Sequence, residues 1–488
     1  MPVVVLDEPA SPPLALCDLK RLRAGVPALL LAGVCACGRA ASVGGGPDSR
    51  LNVLLLTIDT LRADHLSAYG YPRRTSPRID ALAGDGVLFE RAFTYWPKTR
   101  GSFAVLHTGR FPSQNGFDPA RFPLMASFNA TIATLLKSVG YATRGAVDNP
   151  NVGAALGFAR GFDRYRETWQ ERDLATEMDR THAITEEGIR ALRDARPGQP
   201  FFLWLHYVNP HAPYAPPAPF DTRFLDSAAV TGPRLPVSAS FRGGIPQHLL
   251  VSRHRKLGWY VAQYDGEIAA VDEQVGLVLD ALDASSVAAS TLVILTSDHG
   301  ESLGEHGYYF DHGEDMFDPS LAVPLIIALP GAASRRTDSF AWTLDILPTI
   351  LEAAGVPRPP DLPGQSLFPL LRGGEAPRRE RLFAQNDDGL AATWNASYKL
   401  VATPRGSGAP AYALYDRARD SAESRDVSAE EPAALRAWRN ELEAFFQARG
   451  AEWGLTRRAT AAQPGAPQLT PEACERLRGL GYVGGCAS

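Results

Sequence analysis

The chain has 488 residues, of which 45% are apolar and 21% charged, with a formal net charge of −5. This is ordinary globular composition, and it excludes a mainly disordered, fibrous or multi-span membrane protein. The net charge gives no global field that would attract nucleic acid, and no basic patch interleaved with aromatic residues is present, so no nucleic-acid partner is predicted. Cysteine is absent between residues 38 and 473, which excludes a cysteine nucleophile, a cysteine zinc site or an iron–sulfur cluster there.

The first predicted element is an N-terminal leader. Lys20, Arg21 and Arg23 precede the apolar run Ala24 to Val34, which is too short to span a bilayer but suits a secretory signal. The run ends in Val34-Cys35-Ala36-Cys37, which resembles a bacterial lipobox with Cys37 as the lipidated residue. The alternatives are a plain cleaved signal and a poorly ordered leader with no role. Residues 1–37 are therefore predicted to be a signal and residues 38–48 a tether. The protein is expected to be exported in a bacterium, as a periplasmic protein or a membrane-anchored lipoprotein.

The predicted export of the protein affects the expected oxidation state of its last two cysteines. Cys474 and Cys486 either form a disulfide in an oxidising compartment or remain free thiols, and the sequence leaves both alternatives open.

From Leu51 onward, short apolar runs alternate with helix-like segments, which is typical of an α/β fold. Four runs are continuously apolar, as expected of parallel strands covered by helices on both faces: Leu51–Ile58, Phe201–Leu205, Thr291–Thr296 and Val323–Leu329. Apolar residues between Val261 and Leu282 recur at helical spacing and predict a core helix. The sequence therefore predicts a central, mostly parallel sheet between helices, within a domain of residues 49–375.

A smaller α+β subdomain is predicted for residues 376–450, followed by a tail of residues 451–488. Proline- and glycine-rich loops at 212–219 and 357–364 precede it, and after Gly373-Gly374 the strand candidates become shorter and more polar. These candidates suggest an antiparallel sheet, over Leu382–Ala384, Ala392–Trp394, Lys399–Thr403 and Ala411–Tyr415. Apolar residues from Leu435 to Phe445 predict one amphipathic helix that packs on this sheet.

Acidic residues and histidines follow the predicted central strands. Asp59 directly follows the first strand, Asp298-His299 follow the strand beginning at Thr291, and Asn209-Pro210-His211 follow the strand beginning at Phe201. The carboxyl ends of parallel strands share one edge of the sheet, so these side chains are expected to meet in one crevice. A set of two aspartates and a histidine suits Mn²⁺ or Zn²⁺ better than Ca²⁺, although Ca²⁺ stays open. One divalent metal ion is predicted.

Residues 51 to 484 resemble the sulfatase family, within the alkaline phosphatase superfamily. The resemblance is carried by these segments in this order: Asn52–His65, Leu106-His-Thr-Gly-Arg110, Leu205–Tyr214, Tyr264–Asp272, Thr296–Gly307, Thr343–Thr349, Tyr398–Leu400 and Leu480–Val483. It implies an alkaline-phosphatase-like fold and an enzyme that acts on an anionic sulfate or phosphate ester.

The resemblance also implies roles for single residues. Asp59, Asp298 and His299 are expected to bind the metal, and His211 to contact sulfate or phosphate oxygens. His312 stands about where many sulfatases have a substrate-binding lysine, so it is expected to be a second oxyanion contact or the acid that protonates the leaving group. Asn209 and His206 could serve a second metal, which stays open.

The chain departs from the family at its nucleophile. Sulfatases convert a Cys or Ser of a C/S-x-P-S-R motif to formylglycine, seven residues before the Leu of L-x-T-G-R; here that position is Thr99, with Gly101 and Phe103 at the Pro and Arg positions. The family's later Gly-Lys-x-His element is also missing. No formylglycine is therefore expected.

Thr99 is nevertheless a candidate nucleophile and metal ligand. Relatives in the superfamily, such as nucleotide pyrophosphatases, resemble this arrangement in using a metal-bound threonine at a helix start, where metal and helix dipole stabilise the attacking oxygen. Lys98 and Arg100 flank Thr99 and are expected to favour an anionic substrate, with solvated surface charge as the alternative.

Two functions follow as hypotheses. The first is a metal-dependent hydrolase or transferase with Thr99 attacking, and since a sulfated threonine hydrolyses slowly without the hemiacetal route of formylglycine, phosphoryl esters are favoured. The second is a catalytically degenerate member that keeps the metal for a scaffolding role at the cell envelope, motivated by Gly101, Phe103 and the missing Lys-x-His element.

Overall fold

A computed structural model describes residues 50–117, 130–226, 231–405, 408–449 and 470–480. The predicted leader and tether lie outside these residues. Cys474 is disulfide-bonded, whereas Cys486, its partner in one of the two alternatives, also lies outside them. Within the described ranges, no helix combines the length and apolarity that crossing a membrane requires.

The strands and helices alternate through the first three quarters of the chain. The strands are β1 Asn52–Ile58, β2 Val87–Phe93, β3 Ala142–Val147, β4 Arg164–Glu167, β5 Phe201–Tyr207, β6 Val237–Ser238, β7 Ile245–Pro246, β8 Thr291–Thr296, β9 Ser302–Leu303, β10 Tyr309–Asp311, β11 Ala322–Val323, β12 Leu325–Ala328, β13 Arg335–Trp342, β14 Leu382–Gln385, β15 Ala391–Trp394, β16 Tyr398–Arg405 and β17 Gly408–Asp416. The helices are α1 Pro77–Asp85, α2 Thr99–Thr108, α3 Pro112–Asn115, α4 Ile132–Ser138, α5 Glu177–Asp194, α6 Phe220–Arg223, α7 Leu257–Asp283, α8 Asp318–Leu321, α9 Ile346–Ala353, α10 Phe368–Leu371, α11 Pro432–Gln447 and α12 Pro471–Gly479.

Nine strands form one mixed sheet in the order β11-β2-β12-β8-β1-β5-β3-β4, with β13 paired to β2. The strands from β8 to β4 run parallel to one another. Alternate residues of β1 enter two different cores: Val53 and Leu55 pack with α2 and α4, whereas Leu54 and Leu56 pack with α5 and α7. Helices therefore cover both faces, which explains why β1 is continuously apolar and confirms the predicted α/β architecture.

The direction of one predicted strand is wrong. The run Val323–Leu329, which the sequence predicts to be a parallel strand, forms the two short strands β11 and β12, and β12 pairs antiparallel with both β8 and β2. Pro324 separates the two strands because it has no N–H to donate to a neighbour. A continuously apolar run reports burial on both faces and carries no information on strand direction.

The C-terminal sheet matches its prediction closely. Strands β14 to β17 form a four-stranded antiparallel meander, and α11 packs on it through Trp438, Leu442 and Phe445. A buried cluster of charges joins this sheet to the larger one, because Lys399 Nζ on β16 lies 2.6 Å from Asp318 Oδ1 of α8.

Candidate metal centre and active site

The centre of the parallel sheet brings the predicted acidic residues together. β1 lies between β5 and β8, so Asp59, which follows β1, is next to the residues that follow β8. Asp59, Asp298 and His299 are all fully buried, and one potential ligand atom from each lies within 4.8 Å of the others. The predicted meeting of the two strand ends is thus observed.

The ligand atoms of these three residues point at one another. His299 Nε2 lies 3.7 Å from Asp59 Oδ1 and 3.3 Å from Asp298 Oδ2. His299 Nδ1 is 2.9 Å from the carbonyl oxygen of Gly300, to which it donates, so Nε2 presents its lone pair to the carboxylates. Asp59 Oδ1 and Asp298 Oδ2 are buried without a hydrogen-bond partner. Two carboxylate oxygens and one imidazole nitrogen therefore point at one another with no hydrogen-bond donor between them. A bound cation would satisfy all three atoms.

The electrostatics of the two carboxylates favour a cation between them. Burial raises the pKa of Asp298 well above its usual value, and the neighbouring Asp59 raises it further. Burial also acts to raise the pKa of Asp59, but His206, His211 and His299 outweigh it and hold that pKa at about 2. Two neighbouring carboxyl groups whose pKa values are driven apart in this way cannot both ionise easily, because their negative charges repel. A divalent ion between them would remove this repulsion. The residues therefore fit the predicted metal.

A strained turn directly after Asp59 helps to fix this geometry. Thr60 has a positive φ of 54°, which is unfavourable for a β-branched residue. Tyr264 of α7 donates a hydrogen bond to the Thr60 carbonyl oxygen at 2.7 Å and accepts one from the Arg62 amide at 3.0 Å. The Thr60 amide lies 3.3 Å from Asp298 Oδ1 and donates to it. The buried tyrosine therefore holds the turn that joins the two carboxylates.

Thr99 stands at the same place. It is the first residue of α2, it is 1% exposed, and its Oγ1 lies 3.3 Å from His299 Nε2. Ser102 Oγ, one turn later, donates to the Asp298 carbonyl oxygen at 2.7 Å and so ties α2 to the metal cluster. The Thr99 hydroxyl is thus beside the predicted metal site and at the positive end of a helix dipole.

Packing accounts for the two departures at Gly101 and Phe103. A Cβ on Gly101 would lie 2.3 Å from Trp96 Cδ1, so only glycine fits beneath this indole. Phe103 is fully buried, with its ring 4.7 Å from that of His206 and 5.2 Å from that of Trp204. Phe103 therefore supports the floor of the site and supplies no charge.

Four histidines lie close to Asp59 or to one another: His206, His211, His299 and His312. His206 Nε2 lies 3.6 Å from Asp59 Oδ2, and the His312 ring lies 4.1 Å from that of His299 and 5.2 Å from that of His211. His306 is elsewhere, stacked on Phe317 at 3.5 Å. His312 thus lies between His299 and His211, while the contacts of His211 and His312 with substrate stay a prediction.

Glu301 is a residue that the sequence did not single out. Its Oε2 lies 3.6 Å from His312 Nδ1, and burial together with Asp311 and Asp59 raises its pKa well above the usual value. Burial lowers the pKa of His312, as do His299 and His211. An anionic substrate would counter this lowering, since a negative charge favours the imidazolium form.

A hairpin of the C-terminal sheet also reaches the site. Lys98 Nζ lies 3.5 Å from Asp387 Oδ2, in the loop between β14 and β15, and Trp96 Nε1 donates to Asp387 Oδ1 at 3.0 Å. Burial lowers the pKa of Lys98, but Asp387 and other carboxylates outweigh it, so the amine stays charged. Arg100 Nε donates to Asn151 Oδ1 at 2.7 Å. Lys98 and Arg100, the two cations predicted to attract an anionic substrate, are therefore each paired with a protein group. Their role in substrate binding stays a prediction.

Two amides complete the surroundings of the site. Asn149, which follows β3, donates through Nδ2 to Asp59 Oδ2 at 2.8 Å; its place after a central strand was the available signal for it. Asn209 is occupied by Glu267 and Glu177, to which its Nδ2 donates at 2.6 and 3.0 Å, and by the Thr181 hydroxyl. These bonds hold the loop that carries His211 and leave Asn209 unsuited to a second metal.

Asp311, next to His312, should make the stability of the protein depend on pH. Burial raises its pKa from 3.8 to about 6. The folded protein then binds a proton more tightly than the unfolded chain, so the contribution of Asp311 to stability is complete below about pH 4 and is lost as the pH rises through 6. Asp311→Asn removes this titration. In denaturant titrations, the unfolding free energy of the variant relative to wild type should rise by roughly 1–3 kcal/mol between about pH 4 and pH 7. A difference that does not vary with pH would contradict this assignment.

Comparison with known families places the chain clearly. The sequence-family model described as Sulfatase matches residues 51–356, a span that includes every predicted metal ligand and Thr99. A second family model, described as N-sulphoglucosamine sulphohydrolase, C-terminal, matches residues 304–444 and covers the C-terminal sheet.

Individual relatives are distant but extensive. The chain is 27% identical to iduronate 2-sulfatase of Mus musculus, over 69% of this chain and 74% of that protein. It is 26% identical to delta 4,5-hexuronate-2-O-sulfatase of Bacteroides thetaiotaomicron, over 76% and 80%. The crystal structure of phosphonate monoester hydrolase of Agrobacterium radiobacter has a TM-score of 0.68 at 24% identity and covers 82% of this chain and 96% of that one. This last likeness shows a shared alkaline-phosphatase-like fold.

Proposed function

The chain belongs to the sulfatase family, and on that basis we propose that it is a metal-dependent ester hydrolase in which Thr99 is the nucleophile and phosphoryl esters are the preferred substrates. The observation that carries the proposal is the position of Thr99 Oγ1, at the start of α2 and 3.3 Å from His299 Nε2 in the acidic cluster.

The metal would be held by Asp59, Asp298 and His299, with Thr99 beside it. A bound divalent ion supplies two effects here: it lowers the pKa of the Thr99 hydroxyl and withdraws charge from the ester oxygens. Asn149 fixes the Asp59 carboxylate by donating to Oδ2, which leaves Oδ1 facing His299.

The reaction follows from the positions of the remaining side chains. Thr99 would lose its hydroxyl proton to water when a bound ion lowers its pKa, and Oγ1 would then attack phosphorus and form a new P–O bond, while the bond from phosphorus to the leaving oxygen breaks in line with it. His312 in its protonated form donates its proton to the leaving oxygen, and His211 binds a non-bridging oxygen. Water then attacks the phosphorylated Thr99, which restores the hydroxyl and releases phosphate or a phosphate monoester.

The preference for phosphorus rests on Thr99 itself. Formylglycine carries a second hydroxyl that lets it expel sulfate through a hemiacetal, and a threonine side chain has only one. A sulfated Thr99 would have to be cleared by direct attack of water at sulfur, which is slow, whereas a phosphorylated threonine can be hydrolysed by metal-assisted attack.

A substrate panel tests this proposal. The purified protein is treated with chelator and assayed with aryl sulfate, aryl phosphate, aryl phosphonate and bis-aryl phosphodiester, before and after addition of Mn²⁺ or Zn²⁺. We expect turnover only with metal, and faster turnover of at least one phosphorus ester than of the sulfate. Sulfate turnover as the fastest reaction, or turnover that is indifferent to chelation, would overturn the proposal.

The role of His312 predicts a dependence on the leaving group. His312→Gln removes the acid, so kcat/KM for an alkyl ester, whose leaving oxygen needs a proton, should fall about 100-fold. For a nitrophenyl ester, which leaves as a stable anion, the loss should stay below about tenfold. Steady-state kinetics with both esters measure the difference, and His306→Gln, at the histidine outside the cluster, serves as the control. Equal losses with both esters would remove His312 from this role.

We also propose that the protein is exported, as the leader sequence indicates. The disulfide at Cys474 supports an oxidising compartment. Lipidation of Cys37 remains a proposal from the sequence alone.

A further inference from the structure

A short helix near the C-terminus packs against the loop that follows β3. Helix α12, Pro471–Gly479, buries Ala473 and Leu477 and is fixed further by the disulfide at Cys474. Its Arg476 has a side chain that is only 9% exposed. A nearly buried arginine needs partners that repay its desolvation, so its contacts identify what the helix is attached to.

Arg476 makes contacts with two acidic residues. Its Nη2 lies 2.6 Å from Asp148 Oδ2, and its Nη1 lies 3.1 Å from Glu177 Oε2. Its Nε also donates to the Asp148 carbonyl oxygen, at 3.4 Å. Arg180 Nε donates to Asp148 Oδ2 as well, at 3.1 Å. Without Arg476, the Asp148 carboxylate would still be paired with Arg180. The bridge from the Asp148 carbonyl oxygen to the Glu177 carboxylate, in contrast, runs through Arg476 alone among the described contacts.

The next residues of the chain lead directly to the metal cluster. Asp148 and Asn149 are fully buried, and the Asn149 side chain donates to Asp59 Oδ2 at 2.8 Å. The same side chain accepts a hydrogen bond from the Asn151 amide at 3.0 Å, and Asn151 in turn holds Arg100, next to Thr99. One segment, residues 148–151, thus contacts Arg476 at one end and both sides of the candidate site at the other.

We propose that Arg476 is a positioning residue for the metal site: by holding the backbone of Asp148, it places the Asn149 amide that orients the Asp59 carboxylate. Groups that orient a metal ligand raise metal affinity because the ligand then loses less freedom on binding. The C-terminal helix is therefore part of the metal site, although it contributes no ligand. This inference rests on the metal site of the proposed function, but not on the reaction assigned to it.

The test measures metal affinity without turnover. Calorimetric titration of the metal-free, disulfide-intact protein with Mn²⁺ gives a dissociation constant for each variant, and a thermal melt without metal reports its folding. Asn149→Ala should weaken Mn²⁺ binding about tenfold. Arg476→Ala should weaken it about three- to tenfold. Arg478→Ala, at an exposed arginine of the same helix, should bind as wild type does.

A double variant separates positioning from general destabilisation. If Arg476 acts through Asn149, adding Arg476→Ala to Asn149→Ala should weaken Mn²⁺ binding no further. Arg476→Lys keeps the charge but cannot reach both acids with a planar fork, so it should show a smaller loss and provides a folded variant if the alanine one melts. Wild-type Mn²⁺ affinity in Arg476→Ala or Arg476→Lys, or an equal loss with and without Asn149, would overturn the inference. A wild type that binds Mn²⁺ but turns nothing over would count against the proposed function only.

Discussion

Replacing Asp298 with asparagine should abolish metal binding and reduce kcat/KM by about three orders of magnitude, which corresponds to roughly 4 kcal/mol of transition-state stabilisation. Asparagine keeps the oxygen that accepts the His299 and Thr60 amides but replaces the buried Oδ2, which faces His299 Nε2 at 3.3 Å. The loss should therefore come from the metal site and leave the loop geometry intact.

The same variant should behave in an unusual way without metal. In the metal-free wild type, Asp59 and Asp298 lie close together in a buried site, and their mutual effect on pKa is unfavourable. Asp298→Asn relieves this conflict, so the metal-free variant should melt no lower than metal-free wild type, while added Mn²⁺ should stabilise wild type alone. Asp338→Asn, at an exposed aspartate on β13, is the control. Stabilisation of Asp298→Asn by Mn²⁺ equal to that of wild type would place the metal elsewhere.

Removing the Thr99 hydroxyl should have the largest effect on turnover. Thr99→Val keeps the β-branched shape at the start of α2 but has no oxygen to attack the ester, so kcat should fall at least roughly 10⁴-fold. Thr99→Ser restores a hydroxyl in the same position, and its kcat should lie within about tenfold of wild type. Mn²⁺ binding through Asp59, Asp298 and His299 should persist in both variants, although weakened if Thr99 is a fourth ligand.

Kinetics of the two variants with the preferred phosphorus ester provide the measurement. Because Thr99 is 1% exposed, thermal melts of both variants must accompany the rates, so that a loss of folding is not taken for a loss of chemistry. Substantial turnover by well-folded Thr99→Val would mean that water attacks the ester directly and that Thr99 has another role.

Much of the fold follows from patterns that the sequence carries locally. Continuous apolar runs locate β1, β5 and β8, and apolar residues at helical spacing locate α7 and α11. These patterns are visible in the sequence because the residues that share a buried face are close to one another along the chain. The direction of β12 could not be obtained in this way. It depends on the path of the chain through residues 300–322, which has no periodic signal.

The residues of the site also fall into two groups, those that the sequence predicts and those that it does not. Asp59, Asp298 and His299 were predictable because they lie just beyond the ends of two central strands, and strand ends meet at one edge. Glu301 and Asp387 act through side-chain contacts that depend on the packed structure. Arg476 is the extreme case, since it lies 328 residues from Asp148. Contacts of this kind leave no spacing that a sequence could display.

The most direct test of the account is to trap the group on Thr99. Metal-loaded wild-type protein is mixed with the best phosphorus ester, quenched rapidly in acid and digested, and the peptide that contains Thr99 is analysed by mass spectrometry. We expect a phosphoryl group on Thr99 in the wild type, formed only when metal is present, and an unmodified threonine before substrate is added. Rapid turnover with no modification at residue 99, together with an active Thr99→Val variant, would contradict it.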